Sequence, residues 1–176
     1  MSPLCPSSSR PYMPGYGTKP PHEGSGLLPW SWAEEQLSAA KNYWVATNGA
    51  GSQPHLSPVW AVWDGERLLF SCAVNSRKAR NLRADPRCTI STEGAMNPVI
   101  VEGAAILVSG MAARRVLLDG MNKKYETEIP EDFLAPDKNC VFAVSPARAY
   151  GLKHDDFEGS PTRWTFTPNP AEKGQM

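Results

Sequence analysis

The segment SPVWAVWDGERLLFSCAVNSRKARNL, residues 57–82, decides the fold prediction. Two apolar runs lie on either side of Asp64-Gly65, and an Asp-Gly pair in that position favours a β-hairpin whose turn needs positive φ. Asn75 and Ser76 follow the second run, and either residue can cap the N-terminus of a helix. The segment therefore predicts two antiparallel strands, a short loop and then a helix.

The predicted helix is strongly basic, with four cations and no acid before Asp85. Because a helix N-terminus already carries partial positive charge, cations in the first turn are unfavourable unless an anion binds there. We therefore predict an anion site formed by free backbone N–H groups, the Ser76 hydroxyl and the charges of Arg77 and Lys78. The alternative is a solvated cationic helix face.

Spacing within the segment suggests how this site is built. Lys78 is three residues from Asn81 and four from Leu82, so the three share a helix face. We expect Leu82 to pack against the sheet, and Lys78 and Asn81 to face a bound group. Pro58 cannot donate to a strand ladder and indicates an edge or bulge, although a core strand with an incidental proline is the alternative. Ser71 on the next strand adds a hydroxyl.

Composition limits the class of protein. A chain of 176 residues fits one domain with a hydrophobic core, and its zero formal net charge does not support a nucleic-acid or anionic-membrane partner. The four cysteines lack CxxC spacing and no Cys/His spacing indicates a metal, so Cys72 and Cys88 are predicted as free buried thiols. With no leader-like N-terminus or long apolar run, we expect a reduced, cytoplasmic protein.

Three parts of the chain are distinguished by composition: a flexible arm over residues 1–26, a single domain over 27–167 and a flexible tail over 168–176. Six or seven short strands with two or three marginal helices predict a mainly β barrel. One helix is expected from Ser31, capped by Ser31 and Glu34, and another over residues 111–125. Gly103 predicts a bulge, and Ser145-Pro146 is expected to separate two strands.

This order of elements resembles the split β-barrel flavin/deazaflavin oxidoreductases, the pyridoxamine 5'-phosphate oxidase-like superfamily. The resemblance is carried by W-V-A-T…G…P-H-x-S-P-V-W over residues 44–60, the hairpin, S-R-K-A-R-N-L over 76–82 and D-P-R-C-T-I over 85–90. It extends over roughly residues 28 to 166 and is strongest with the branch that uses the deazaflavin coenzyme F420. It implies an FMN-binding split barrel whose basic helix holds the cofactor phosphate.

The resemblance also implies that the strand over residues 57–60 lies along the cofactor ring. With the basic segment, the predicted cofactor-binding residues are Ser57, Pro58, Val59, Trp60, Ser71, Ser76, Arg77, Lys78 and Asn81. No Ser-His-Asp order or HExxH motif identifies a catalytic residue. Proton-donor candidates are Tyr125, Tyr150 and His154, and His55 is interpreted as a hydrogen-bonding surface residue or, alternatively, a catalytic acid.

The sequence thus predicts a homodimeric oxidoreductase that transfers a hydride from reduced F420 to an electron-poor C=C or C=N bond of a small organic molecule. The alternatives are an FMN-dependent enzyme and a non-enzymatic flavin- or haem-binding protein of the same fold. The dimer is expected because Trp60, Trp63 and Trp164 would otherwise expose a large apolar patch. The aromatic arm residues Tyr12 and Tyr16 favour, as an alternative to a flexible tail, an arm over the cofactor cleft or the partner subunit.

Overall fold

A computed structural model describes residues 4–167 and confirms a mainly β fold. Within residues 4–167, nine strands form one antiparallel sheet, more than the six or seven predicted, and three α-helices lie at its margins. The strands are β1 Ser7–Ser9, β2 Tyr43–Asn48, β3 Pro54–Val59, β4 Ala61–Trp63, β5 Leu68–Ala73, β6 Arg87–Thr92, β7 Val99–Leu107, β8 Asn139–Gly151 and β9 Thr162–Thr165. The helices are α1 Trp30–Ala39, α2 Arg77–Ala84 and α3 Met111–Tyr125.

The barrel is held together by the long strand β8. The strands run in the order β1-β9-β8-β7-β6-β2-β3, and β5 pairs with both β4 and β8. The first half of β8 therefore pairs with β5 and its second half with β9. The predicted break at Ser145-Pro146 is wrong, because β8 runs through it. The predicted bulge at Gly103 is confirmed, and a Cβ there would clash with the Ser145 carbonyl oxygen.

At Trp60 the chain passes from one pair of strands to another. The segment predicted as one strand is divided into β3, which pairs with β2 at the edge of the sheet, and β4, which pairs with β5. Pro58 lies opposite Trp44 on the edge strand β3, which confirms the prediction from its missing N–H group. The predicted hairpin is also confirmed: Gly65 has φ +96°, and the Asp64 carboxylate accepts from the backbone N–H of Arg67.

Two clusters of buried side chains form the core. The larger fills the barrel and includes Trp164, which is fully buried and donates from Nε1 to the Leu28 carbonyl at 3.2 Å. The prediction that Trp164 is exposed is therefore wrong. A second cluster, which the sequence did not indicate, packs Leu117 of α3 against Leu69 and Val141 on β5 and β8. Cys72 and Cys88 are free and buried, as predicted.

The N-terminal elements differ from the sequence prediction. Helix α1 begins at Trp30 with the extended Pro29 as N-cap and no side-chain cap hydrogen bond, so the predicted cap by Ser31 and Glu34 is wrong. Within the arm, β1 pairs with β9 and Arg10 donates to the Pro161 carbonyl, contacts that the Pro, Gly and Ser content did not indicate. The boundaries at 26 and 167 and the flexibility of the arm stay predictions, and the tail over 168–176 lies outside the described residues.

A membrane-spanning helix is not found over residues 4–167, where every helix is too short or too polar to cross a bilayer.

Candidate cofactor site

The start of α2 has the structure that its sequence predicts. Ser76 is the N-cap, with extended backbone at φ −65° and ψ 154°, and its hydroxyl accepts from the Ala79 N–H at 3.2 Å. The helix then begins with Arg77 and Lys78, with no acid in its first turn. Two positive charges therefore stand at the positive end of the helix dipole, where a bound anion would be stabilised.

The first turn of α2 lies along the edge strand β3. The Arg77 guanidinium donates to the Gln53 side chain at 3.4 Å, just before the strand, and the Lys78 ammonium lies 3.4 Å from the Pro58 carbonyl oxygen. Among residues 4–167, neither cation pairs with a carboxylate. Partial burial lowers the pKa of Lys78, because the ammonium is removed from water. A bound anion would offset that cost.

Asn81 has a partner within the protein. It is buried, and its Nδ2 donates to the hydroxyl of Thr47 on β2 at 2.9 Å. The helical spacing suggested instead that this side chain faces a bound group. Leu82 is buried in the core, as expected. In the structure, Asn81 therefore fixes α2 on the sheet.

Residues 57–60 do not share one face of the strand. Ser57 is half-buried and Val59 is buried, whereas Pro58 and Trp60 are exposed on the opposite face. The Ser57 hydroxyl oxygen is buried and has no hydrogen-bond partner in the described part of the chain. A buried hydroxyl without a partner is unfavourable, so a ligand group that bonded to it would be stabilised.

Ser71 has no hydrogen bond to the start of α2 in the described part of the chain. It is half-buried on β5, in register with Val141 of β8. The hydrogen bonds of Ser76, Arg77 and Lys78 found in the structure go elsewhere. Its place in the cofactor site stays a prediction.

A stacked aromatic pair lies where β3 gives way to β4. The rings of Trp60 and Tyr125 are nearly parallel, with an interplanar angle of 8° and centroids 4.2 Å apart, and Trp60 remains 42% exposed. The Tyr125 hydroxyl accepts from the Ala61 N–H at 3.1 Å and lies 3.2 Å from the Ala61 carbonyl oxygen. Sequence reasoning considered Tyr125 only as a proton donor, because no local spacing indicates a contact 65 residues apart in the chain.

Lys124 adds to this contact between α3 and the strand crossing. Its ammonium donates to the Ala61 carbonyl at 3.1 Å and to the Tyr43 hydroxyl at 2.6 Å, and that hydroxyl donates to the Leu37 carbonyl. Burial, then repulsion from Lys41, lowers the pKa of Lys124 to about 8. Burial also raises the pKa of Tyr43. Tyr125 and Lys124 therefore provide hydrogen-bond partners for the backbone N–H and carbonyl of Ala61, next to the break at Trp60.

The other proton-donor candidates lie on a different part of the sheet. Tyr150 is in register with Arg163 of β9. His154 is exposed, and its backbone N–H donates to the Asn97 side-chain oxygen. Tyr150 lines an apolar cavity of about 250 Å³ together with Tyr12 of the arm. Within one chain, therefore, the structure groups neither residue with α2, and the arm packs on the β8–β9 side of the sheet.

Comparison with known proteins decides the family. The family described as pyridoxamine 5'-phosphate oxidase matches residues 32–153, more than half of the chain. The chain belongs to this family. Members of the pyridoxamine 5'-phosphate oxidase family are generally oxidoreductases, and the family binds flavin-type cofactors. No curated protein matches the chain.

Solved structures agree on the fold. One described as an F420 reductase is 22% identical, covering 66% of this chain and 94% of its own, with a TM-score of 0.56. A conserved hypothetical protein from Mycobacterium tuberculosis is 23% identical, covering 73% and 87%, with a TM-score of 0.65. A protein from Clostridium acetobutylicum related to general stress protein 26 is 14% identical, covering 70% and 87%, with a TM-score of 0.56. At these identities the likeness shows the fold alone.

Proposed function

We propose that this member of the family binds reduced F420 and transfers its hydride to an electron-poor C=C or C=N bond of a small organic molecule. One observation carries the proposal: Arg77 and Lys78 occupy the first turn of a Ser76-capped helix, beside an edge strand, with no carboxylate partner in the described chain. Such an arrangement is unfavourable alone and becomes favourable when a phosphate group binds.

The chain's own residues would bind and orient the cofactor. The N–H groups of the first turn, with Arg77 and Lys78, would hold the phosphate, and the unpaired Ser57 hydroxyl would bond to a polar group of the cofactor beside it. When bound, reduced F420 supplies the hydride. The protein supplies position and exclusion of water, which is why the sequence carries no catalytic triad.

F420 is preferred to FMN because α2 remains cationic beyond its first turn. Arg80 and Arg83 follow, and Arg80 lines a cleft of about 760 Å³ beside the helix. Positive charge of this extent suits the several carboxylates of the F420 side chain, which FMN lacks. The motif order and the fold of the solved F420 reductase also support F420. The family match as such favours FMN equally, so FMN is the second candidate.

A side-by-side fluorescence titration with F420 and FMN tests the choice of cofactor. We expect tighter binding of F420, with an affinity that falls at high salt because the contacts are ionic. Equal or tighter binding of FMN would overturn the F420 assignment. Turnover of the reduced cofactor with a panel of conjugated enones, imines and quinones separates an enzyme from a carrier that only binds a flavin or haem.

A further inference from the structure

We propose that His55 is a third ligand of the anionic group bound at the start of α2 and that it takes up a proton when the anion binds. The inference rests on the proposed function, since it needs an anion at that position. It assigns a new role to a residue that the sequence suggested to be either a surface residue or a catalytic acid.

The position of His55 follows from the way α2 lies on β3. Arg77 reaches Gln53 before the strand, and Lys78 reaches Pro58 near its end. His55 lies between these two contact points along the chain, and alternation of side chains puts it on the same face as Ser57. Groups from two different elements therefore converge on one place.

The imidazole is also oriented. Thr47 stands opposite His55 across β2 and β3, and its hydroxyl oxygen lies 3.5 Å from Nδ1 of His55. The same hydroxyl accepts from Asn81 of α2 at 2.9 Å. With Nδ1 on the Thr47 side, Nε2 is the ring nitrogen available to a ligand, and the network couples the imidazole to the helix that carries the cations.

The charges around His55 all oppose its protonation while no anion is bound. Removal from water, then repulsion from Arg77 and Lys78, lowers its pKa. The strand β2 presents the uncharged Thr47, and the acid that follows α2, Asp85, is engaged by Arg87 and Asn48. A bound anion would offset this positive potential and favour the imidazolium.

A second observation at the same place points to a ligand. The Ser57 hydroxyl, two residues along from His55, is buried without a partner in the described chain. Thr47 and Asn81 nearby each have a hydrogen-bond partner within the protein, whereas the Ser57 hydroxyl has none in the described chain. A polar ligand group beside His55 would supply the missing bond.

Proton uptake gives the anion affinity a defined pH dependence. Because the bound state holds the proton more tightly, the affinity rises as pH falls through the pKa of His55 in the complex. The change is at most tenfold per pH unit, and it levels off below the pKa of His55 in the free protein. An anion of constant charge, such as sulfate, bound only by groups of fixed charge would lack this step.

Histidine NMR tests the inference without any assay of activity. The chain has three histidines, so their ring signals can be followed individually, and His55→Gln assigns the His55 signal by its loss. The probe is sulfate, which remains dianionic throughout the titration. We expect sulfate to raise the pKa of His55, and the ring signals of the exposed His22 and His154 serve as internal references. An unchanged His55 pKa at sulfate saturation would overturn the inference.

Affinity measurements with the better-bound cofactor complete the test. In wild type the affinity should fall as pH rises, whereas His55→Gln should bind weakly with a flat profile. His55→Lys, with a fixed charge, should bind tightly at all these pH values. Lys78→Arg should keep the wild-type profile, which excludes Lys78 as the titrating group. Identical profiles in wild type and His55→Gln would contradict the role of His55, whereas failure of both F420 and FMN to bind wild type would contradict the proposed function.

Discussion

Lys78 is partly buried between α2 and β3, and its ammonium makes one long contact, 3.4 Å from the Pro58 carbonyl, within the described chain. The fold therefore gains little from this charge, whereas a phosphate beside it would gain a charge-assisted hydrogen bond. We predict that Lys78→Ala weakens cofactor binding by about 1.5–3 kcal/mol, roughly 10- to 150-fold. The melting temperature of the cofactor-free protein should barely change.

Lys123→Ala is the matched control, because Lys123 is exposed on α3. It removes the same charge and should leave cofactor affinity within twofold of wild type, on the order of what a distant, screened charge contributes. Normal binding by Lys78→Ala in the same titration would show that the basic end of α2 is a solvated surface.

At the scale of elements, the end of α3 stabilises the crossing between β3 and β4. The Tyr125 hydroxyl is the partner of the Ala61 N–H, and its ring covers one face of Trp60. Tyr125→Phe keeps the ring but removes the acceptor, so we predict a loss of about 1–3 kcal/mol in the free energy of unfolding, measured in urea. Tyr12→Phe should change it by less than about 0.5 kcal/mol, because Tyr12 is 89% exposed. Equal stability of the two variants would contradict the stabilising role of the Tyr125 hydroxyl.

Local signals predicted the elements that depend on local chemistry. The Ser76 cap and basic run of α2 and the period of α3 lie in contiguous residues, and α3 has the predicted bounds. The continuity of β8 was not predictable, since a proline is tolerated there only because neighbouring strands pair around it. Likewise, the break at Trp60 depends on the distant Tyr125.

In the candidate site, too, some features follow from neighbouring residues in the sequence and others depend on distant contacts. Sequence alone indicated Arg77 and Lys78, because unfavourable charge at a helix N-terminus is a local signal. It did not indicate that Asn81 would bond to Thr47 or that Trp164 would be buried, because alternation shows which residues share a face but not which face is covered.

At the scale of the whole molecule, one exposed apolar surface lies on β2 and β3, whereas Trp164 is buried. Trp44 is 42% and Leu56 60% exposed, and Pro58, opposite Trp44, adds to the same outer face. Apolar side chains in contact with water on one sheet face favour association with another copy of the chain. Since the Pro58 carbonyl also contacts Lys78, this face borders the candidate cofactor site.

We therefore predict a homodimer through the outer face of β2 and β3, with a mass by light scattering of twice the 19.2 kDa of one chain. Leu56→Glu should convert it to monomer, because a carboxylate buried against its symmetry copy is strongly unfavourable. Cofactor affinity should fall in the same variant, since the partner would no longer cover the site.

Leu107→Glu, at a position 50% exposed on β7, should remain dimeric. A single-chain mass for wild type at micromolar concentration would refute the dimer, and a monomeric Leu56→Glu with full cofactor affinity would place the whole site within one chain.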